Sequence, residues 1–152
     1  MFELLTFYHN SVRWLVCILL IVALVRAGRG YWADLPFTRT DNLVRYWTGG
    51  VAHVQLLLGM LLYFQSPLVR YFFAHQKEGI QQMSLYFFPL LHGGLMLLAI
   101  VLITIGSALA KRQVDDLKRF KSILVWFGLA LLLIVIAVPW PFSPLAARPY
   151  FR

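Results

Sequence analysis

Three histidines and one arginine are the ionisable side chains that could do chemistry inside the long apolar segments of this sequence. His9 and Arg13 stand four residues apart at the start of the first apolar segment, so on a helix they share one face. His53 falls in the second apolar segment and His92 in the third. Ionisable residues within membrane helices are costly, and these four positions are therefore candidates for function.

Aspartate and glutamate are missing from the interior of these apolar segments. A proton relay or a cation-coupled transporter usually relies on a buried carboxylate, and a zinc hydrolase needs a general base besides its ligands. Neutral imidazole, by contrast, is a common axial ligand of haem iron. The pattern favours non-covalent haem b, because the chain contains no CxxCH sequence for covalent attachment.

The composition indicates an integral membrane protein. Of the 152 residues, 61% are hydrophobic and 13% are charged, and the mean hydropathy is +0.73. The net charge of +8 comes from basic residues between the apolar segments, so it reflects membrane topology and not nucleic-acid binding. The single Cys17 cannot form an intramolecular disulfide. The first segment lacks the leader of a signal peptide, and we expect it to be retained.

Four segments are long enough to cross a hydrocarbon core of about 30 Å, which predicts an all-α, up-down four-helix bundle in a single transmembrane domain. Their predicted bounds are 4–26, 46–66, 84–109 and 121–140. Aromatic residues near the segment ends are typical of an aromatic belt at the membrane interface. They include Trp47, Tyr71, Phe72, Phe73 and the stretch Pro139–Phe142.

The distribution of basic residues predicts the orientation of the bundle. The first and third connections, with the residues flanking them, hold nine: Arg26, Arg29, Arg39, Arg45, Lys111, Arg112, Lys118, Arg119 and Lys121. The opposite side holds four: Arg70, Lys77, Arg148 and Arg152. By the positive-inside rule, the first and third connections are cytoplasmic and both termini lie on the outer side.

The depth of each histidine decides which of them could cooperate. At a rise of about 1.5 Å per residue, His9 lies roughly 9 Å outward of the middle of its segment and His92 roughly 7 Å. The first and third helices run parallel and are diagonal neighbours, so these two imidazoles lie at a similar depth on opposite sides of the bundle core. His53 is about 12 Å deeper by the same rise. His9 with His92 is the preferred pair of iron ligands, and His53 with His92 is the second choice.

Arg13 and Gln55 each allow two interpretations. The Arg13 guanidinium could neutralise a haem propionate, or it could extend to a lipid phosphate with its stem on apolar surface. Gln55, two residues after His53, could hydrogen-bond a quinone carbonyl together with that histidine, or it could contact a neighbouring helix.

Several stretches make the chain resemble small four-helix bacterial membrane proteins of a cytochrome b-like type over nearly its full length. They are "HNSVRW", "PFTRTDN", "HVQLLLGMLLYFQSP", "LLHGGLMLLAIVLITIG" and "IAVPWPF". The resemblance implies haem b, electron transfer and location in the bacterial inner membrane. The matching positions are His9, Arg13, His53 and His92.

The chain departs from that pattern at two positions in the third segment. Leu91 stands where an acidic residue precedes the histidine, and Ser107 stands where a further polar residue lies near the segment's end. An arrangement of two haems needs four axial ligands, so these departures favour one.

The sequence thus predicts a membrane-bound b-type cytochrome that relays electrons through one bis-histidine haem, with quinol as a donor class. An electron-transfer protein is favoured over a catalyst. The alternative is a non-catalytic transmembrane subunit or assembly factor of a larger respiratory or secretion complex. A third interpretation, three histidines holding copper or another metal, is disfavoured by their unequal depths.

Overall fold

A computed structural model describes residues 1–138, apart from the side chains of Met83 and Ser84. The predicted aromatic stretch Pro139–Phe142, together with Arg148 and Arg152, lies outside the described residues. Within the described part, the chain is helical and contains no β-strand.

Four long helices form the body of the protein, and shorter ones join the second to the third. The α-helices are α1 (Phe2–Trp32), α2 (Arg39–Gln65), α3 (Pro67–Ala74), α4 (Gln76–Gly79), α5 (Met83–Tyr86), α6 (Gly93–Arg112) and α7 (Asp116–Ala137). A π-helical segment, Phe87–His92, leads directly into α6. Within residues 1–138, four continuous helical stretches are long and apolar enough to cross a membrane: α1, α2, the π segment with α6, and α7.

Each long helix extends past its predicted bound at the α1–α2 or α6–α7 connection, because hydropathy marks only the apolar part of a helix. α2 begins at Arg39 and not at residue 46, and a capping box sets its start. The Thr38 hydroxyl accepts from the backbone N–H of Asp41, while the Asp41 carboxylate accepts from the backbone N–H of Thr38 at 2.8 Å. Asp41 therefore lies inside the first turn of a long helix and is only 7% exposed.

The predicted second connection is folded into short helices. Ser66 caps α3 and Pro67 occupies its first position, where a missing N–H costs nothing. Phe72, predicted for the aromatic belt, is instead buried at 2% exposure. Gly79 makes room for it, because a Cβ at that glycine would lie 2.6 Å from the Phe72 ring. Pro89 falls within the π segment, where the helical hydrogen bonding is already irregular.

The long helices pack in the cyclic order α1, α2, α6, α7, so α1 and α6 are diagonal and parallel, as expected for an up-down bundle. Leu20, Ile103, Phe120 and Phe127 are fully buried between them. One end of the bundle, which we call the histidine end, contains the starts of α1 and α6 and the ends of α2 and α7. The other, the basic end, contains the α1–α2 and α6–α7 connections.

Candidate functional site

Two histidines from diagonal helices meet at the histidine end. His9 lies in the third turn of α1, and His92 closes the π segment before α6. Their ring centroids are 6.5 Å apart, with an angle of 72° between the ring planes. Since a metal–nitrogen bond measures about 2 Å, this separation is close to that of two imidazoles on opposite sides of one metal atom.

The His92 ring is held by the backbone of α7. Its Nδ1 lies 2.9 Å from the carbonyl oxygen of Ala137. A carbonyl can only accept, so Nδ1 carries the proton and Nε2 carries the lone pair of the neutral ring. The rings of Phe87 and Phe88 lie 6.3 Å and 5.9 Å from that of His92. Nε2 is therefore the nitrogen of this ring that could bind a metal, and the hydrogen bond from Nδ1 fixes the ring's orientation, as in known metal-binding histidines.

α2 positions the His9 ring. The amide Nε2 of Gln55 donates to the backbone carbonyl of His9 at 2.9 Å and lies 3.3 Å from His9 Nε2. One turn further along α2, Gly59 leaves the space that the ring needs, because a Cβ there would be 3.1 Å from His9 Cε1. Of the two interpretations of Gln55, the structure shows the contact with a neighbouring helix.

Three buried polar atoms around His9 have no hydrogen-bond partner among the described residues. They are His9 Nδ1, Arg13 Nε and Gln55 Oε1. The Arg13 guanidinium carbon lies 5.5 Å from the centre of the Trp14 ring, and Arg13 forms no ion pair within the described part of the chain. Unpaired polar atoms are especially costly in a membrane, so this site suits a ligand with polar and acidic groups.

His53 lies apart from these residues. Its Nδ1 is 2.6 Å from the carbonyl oxygen of Gly49 and its Nε2 is 3.2 Å from the Thr104 hydroxyl. Thr104 follows His92 by 12 positions, which corresponds to roughly 18 Å along a helix. The structure therefore does not bring His53 to His92, the second predicted pair.

The predicted quinone pair does not converge either. Gln55 contacts α1 through His9, whereas His53 contacts α6 through Thr104. A three-histidine metal site has no counterpart in the described residues, where no group of three His, Cys, Asp or Glu side chains could hold an ion.

The residues at the histidine end fit a haem in their chemistry. Two imidazoles at a suitable separation could supply axial donors, and Arg13, which has no ion pair among the described residues, could supply a cation for carboxylates. The buried polar atoms without partners among the described residues are a feature that a bound cofactor would explain.

A second polar cluster, at the basic end, was not predicted. Arg26 Nε donates to the Asp41 carboxylate at 2.8 Å, and Arg45 donates to Asn42 and to Ser107. The Thr38-x-x-Asp41 spacing is a capping-box signal that could have placed Asp41 inside a helix. No sequence pattern indicates that Arg45 reaches Ser107 on α6.

Comparison with known proteins adds no further assignment. No known protein family matches the chain, and no curated protein or solved structure is significantly similar to it. The functional argument therefore depends on the chain's own residues.

Proposed function

We propose that this protein is a membrane-bound b-type cytochrome in which His9 and His92 are the axial ligands of one non-covalent haem. The observation that carries the proposal is the 6.5 Å separation of these two rings, which come from diagonal helices 83 positions apart in the chain. Arg13 in the same region supports it, because its buried Nε has no hydrogen-bond partner among the described residues.

Bound haem supplies a one-electron couple at its iron, and the protein's residues hold and tune it. The bond from His92 Nδ1 to Ala137 keeps Nε2 available as a donor. Arg13 would offset the negative charge of a propionate through charge-assisted hydrogen bonds. His9 and His92 would together leave no open position on the iron, so the site would favour electron relay over oxygen chemistry.

The proposal places the chain in a bacterial inner membrane with both termini on the outer side. The excess of basic residues in the first and third connections supports this orientation, because these connections share one end of the bundle. Quinol remains the proposed class of electron donor. We do not assign it to His53 and Gln55, since they face different helices.

A visible spectrum of the purified full-length protein, expressed with haem supplied, tests the proposal. The reduced protein should show a Soret band and an α band. His9→Ala and His92→Ala should each lose nearly all bound haem while the protein still inserts. His75→Ala is the matched control, because His75 is exposed and its ring stacks on Tyr71 and not on His9 or His92.

Two results would contradict the cytochrome proposal. One is a wild-type protein without these bands. The other is a His75→Ala variant that loses as much haem as the two ligand variants.

A non-catalytic subunit or assembly factor is the second candidate. The observation that favours it is that the intramembrane polar residues already join helices: Gln55 joins α2 to α1, and His92 joins the π segment to α7. In that case His9→Ala and His92→Ala would change complex assembly, and no haem would be found in the wild type.

A further inference from the structure

The π segment that ends in His92 depends on contacts from outside itself. Pro89, within this segment, has no backbone N–H, so the segment lacks one of its own hydrogen-bond donors. Pro89 is also buried, and its carbonyl oxygen must therefore find its partners within the protein. Single π-helical turns are rare and frequently occur at functional sites, which directs attention to the residues that hold this one.

Tyr63, in the last turn of α2, contacts the chain on both sides of His92. The Tyr63 hydroxyl donates to the carbonyl oxygen of Pro89 at 3.0 Å. The Tyr63 ring lies against Gly93, where a Cβ would be 3.5 Å from Tyr63 Cε2. Since Pro89 precedes His92 by three residues and Gly93 follows it directly, these two contacts together hold the backbone that carries the histidine.

The same side of α2 also contacts His9. Gln55, Gly59 and Tyr63 follow one another at intervals of four residues, so they are neighbours along one side of the helix. Gln55 donates to the backbone carbonyl of His9, and Gly59 leaves room for the His9 ring. One side of α2 therefore contacts the chain at both histidines.

The hydrogen bond between His92 and α7 does not make the Tyr63 contacts redundant. The bond from His92 Nδ1 to the carbonyl oxygen of Ala137 fixes the orientation of the imidazole ring. The Tyr63 contacts instead fix the backbone on which the ring is carried. A metal ligand must be held in both respects, because an error of about 1 Å in its position is enough to impair a site.

We propose that Tyr63 is a positioning residue for the haem site and that its hydroxyl holds the π segment so that His92 faces His9. This role rests on the proposed function and extends it. α2 supplies neither of the two iron ligands, but through Gln55, Gly59 and Tyr63 it sets their separation.

The first test uses carbon monoxide as a probe of the iron in full-length protein loaded with haem. Carbon monoxide can bind the reduced iron only while one of the two axial histidines is displaced. Tyr63→Phe keeps the ring and removes the hydroxyl, so His92 should be displaced more often. The rate of carbon monoxide binding, measured by stopped-flow mixing, should rise about threefold, as expected for the loss of one hydrogen bond between transmembrane helices.

Thr104→Val is the matched control. It also removes one hydroxyl contact between α2 and α6, in this case the contact with His53. A general loosening of the helix packing would raise the rate of carbon monoxide binding in both variants, whereas a positioning role of Tyr63 raises it in Tyr63→Phe alone.

A second test needs no haem. In the ligand-free protein, hydrogen exchange of the backbone amides in the π segment should be about threefold faster in Tyr63→Phe than in the wild type. Thr104→Val should leave this exchange unchanged. If the exchange stays at the wild-type rate in Tyr63→Phe, the hydroxyl does not hold the segment and the proposal is overturned.

The role of Tyr63 and the cytochrome function can fail separately. The proposal for Tyr63 alone is overturned if Tyr63→Phe contains haem and binds carbon monoxide no faster than the wild type or Thr104→Val. A wild-type protein without haem bands overturns the cytochrome function, and the role of Tyr63 with it.

Discussion

The two ends of the bundle bury polar groups in opposite ways. At the basic end, Asp41 and Arg45 both have hydrogen-bond partners. Asp41 also has a counter-charge in Arg26, whereas the partners of Arg45 are all neutral. At the histidine end, hydrogen bonds themselves are missing, since His9 Nδ1, Arg13 Nε and Gln55 Oε1 are buried without partners among the described residues. Satisfied groups stabilise the helix packing, whereas unsatisfied ones indicate a place for a ligand.

The largest effect on stability should come from removing the Arg26–Asp41 ion pair at the basic end. Asp41→Ala removes the acceptor of Arg26 and the Asp41 half of the capping box of α2, and it leaves the half-buried Arg26 guanidinium without its ion-pair partner. We expect a loss of about 3 kcal/mol in the free energy of unfolding, measured by denaturant titration in mixed micelles.

Asp116→Ala is the control for Asp41→Ala. Asp116 pairs with Arg119 at 3.5 Å, and both side chains are substantially exposed, at 40% and 30%. A surface pair of this kind contributes at most about 1 kcal/mol. Equal losses for the two variants would show that the burial of Asp41 does not matter.

A matched pair of substitutions compares the two ends directly. Asn42→Leu removes the acceptor of two Arg45 bonds and should cost about 2 kcal/mol of unfolding free energy. Gln55→Leu also loses its bond to His9, but it removes the unpaired Oε1 as well. Because these effects oppose each other, the ligand-free protein should change by less than about 1 kcal/mol. The comparison fails if Gln55→Leu is the more destabilising change.

The smallest effect should follow Thr104→Val, which removes the hydroxyl near His53 Nε2. Hydrogen bonds between transmembrane helices contribute about 0.6 kcal/mol on average, so a loss of that size is expected in the same micelle titration. The haem spectrum should be unchanged because Thr104 lies far from His92. A shifted Soret band in this variant would instead connect His53 to the cofactor.

Particular residues show how far sequence reasoning reaches. Hydropathy identified four spans, since each needs a long apolar run. It missed the polar turns that extend α1 to Trp32 and start α2 at Arg39, because these turns have helical hydrogen bonds without apolar composition. Depth counting along ideal helices predicted that His9 and His92 share a level, and the structure places their rings 6.5 Å apart.

Other contacts of the same region could not be predicted. The side chain of Gln55 could have pointed to either neighbour of α2, and helix rotation decides between them. Phe72 is an aromatic residue near a segment end, which is typical of the membrane interface, yet the fold of α3 and α4 packs its ring against Gly79. Sequence spacing gives position along a helix, but rotation about the axis depends on how neighbouring side chains interlock.

The sequence by itself determined the helical class, the number of spans and the rarity of intramembrane charge. These properties depend on local composition and on the rise of one helix. Only the tertiary structure decided that Arg45 contacts Ser107 across 62 positions and that His92 is fixed by Ala137 across 45. Such contacts arise from packing between helices, and the chain's local pattern carries no information about which side chains will face each other.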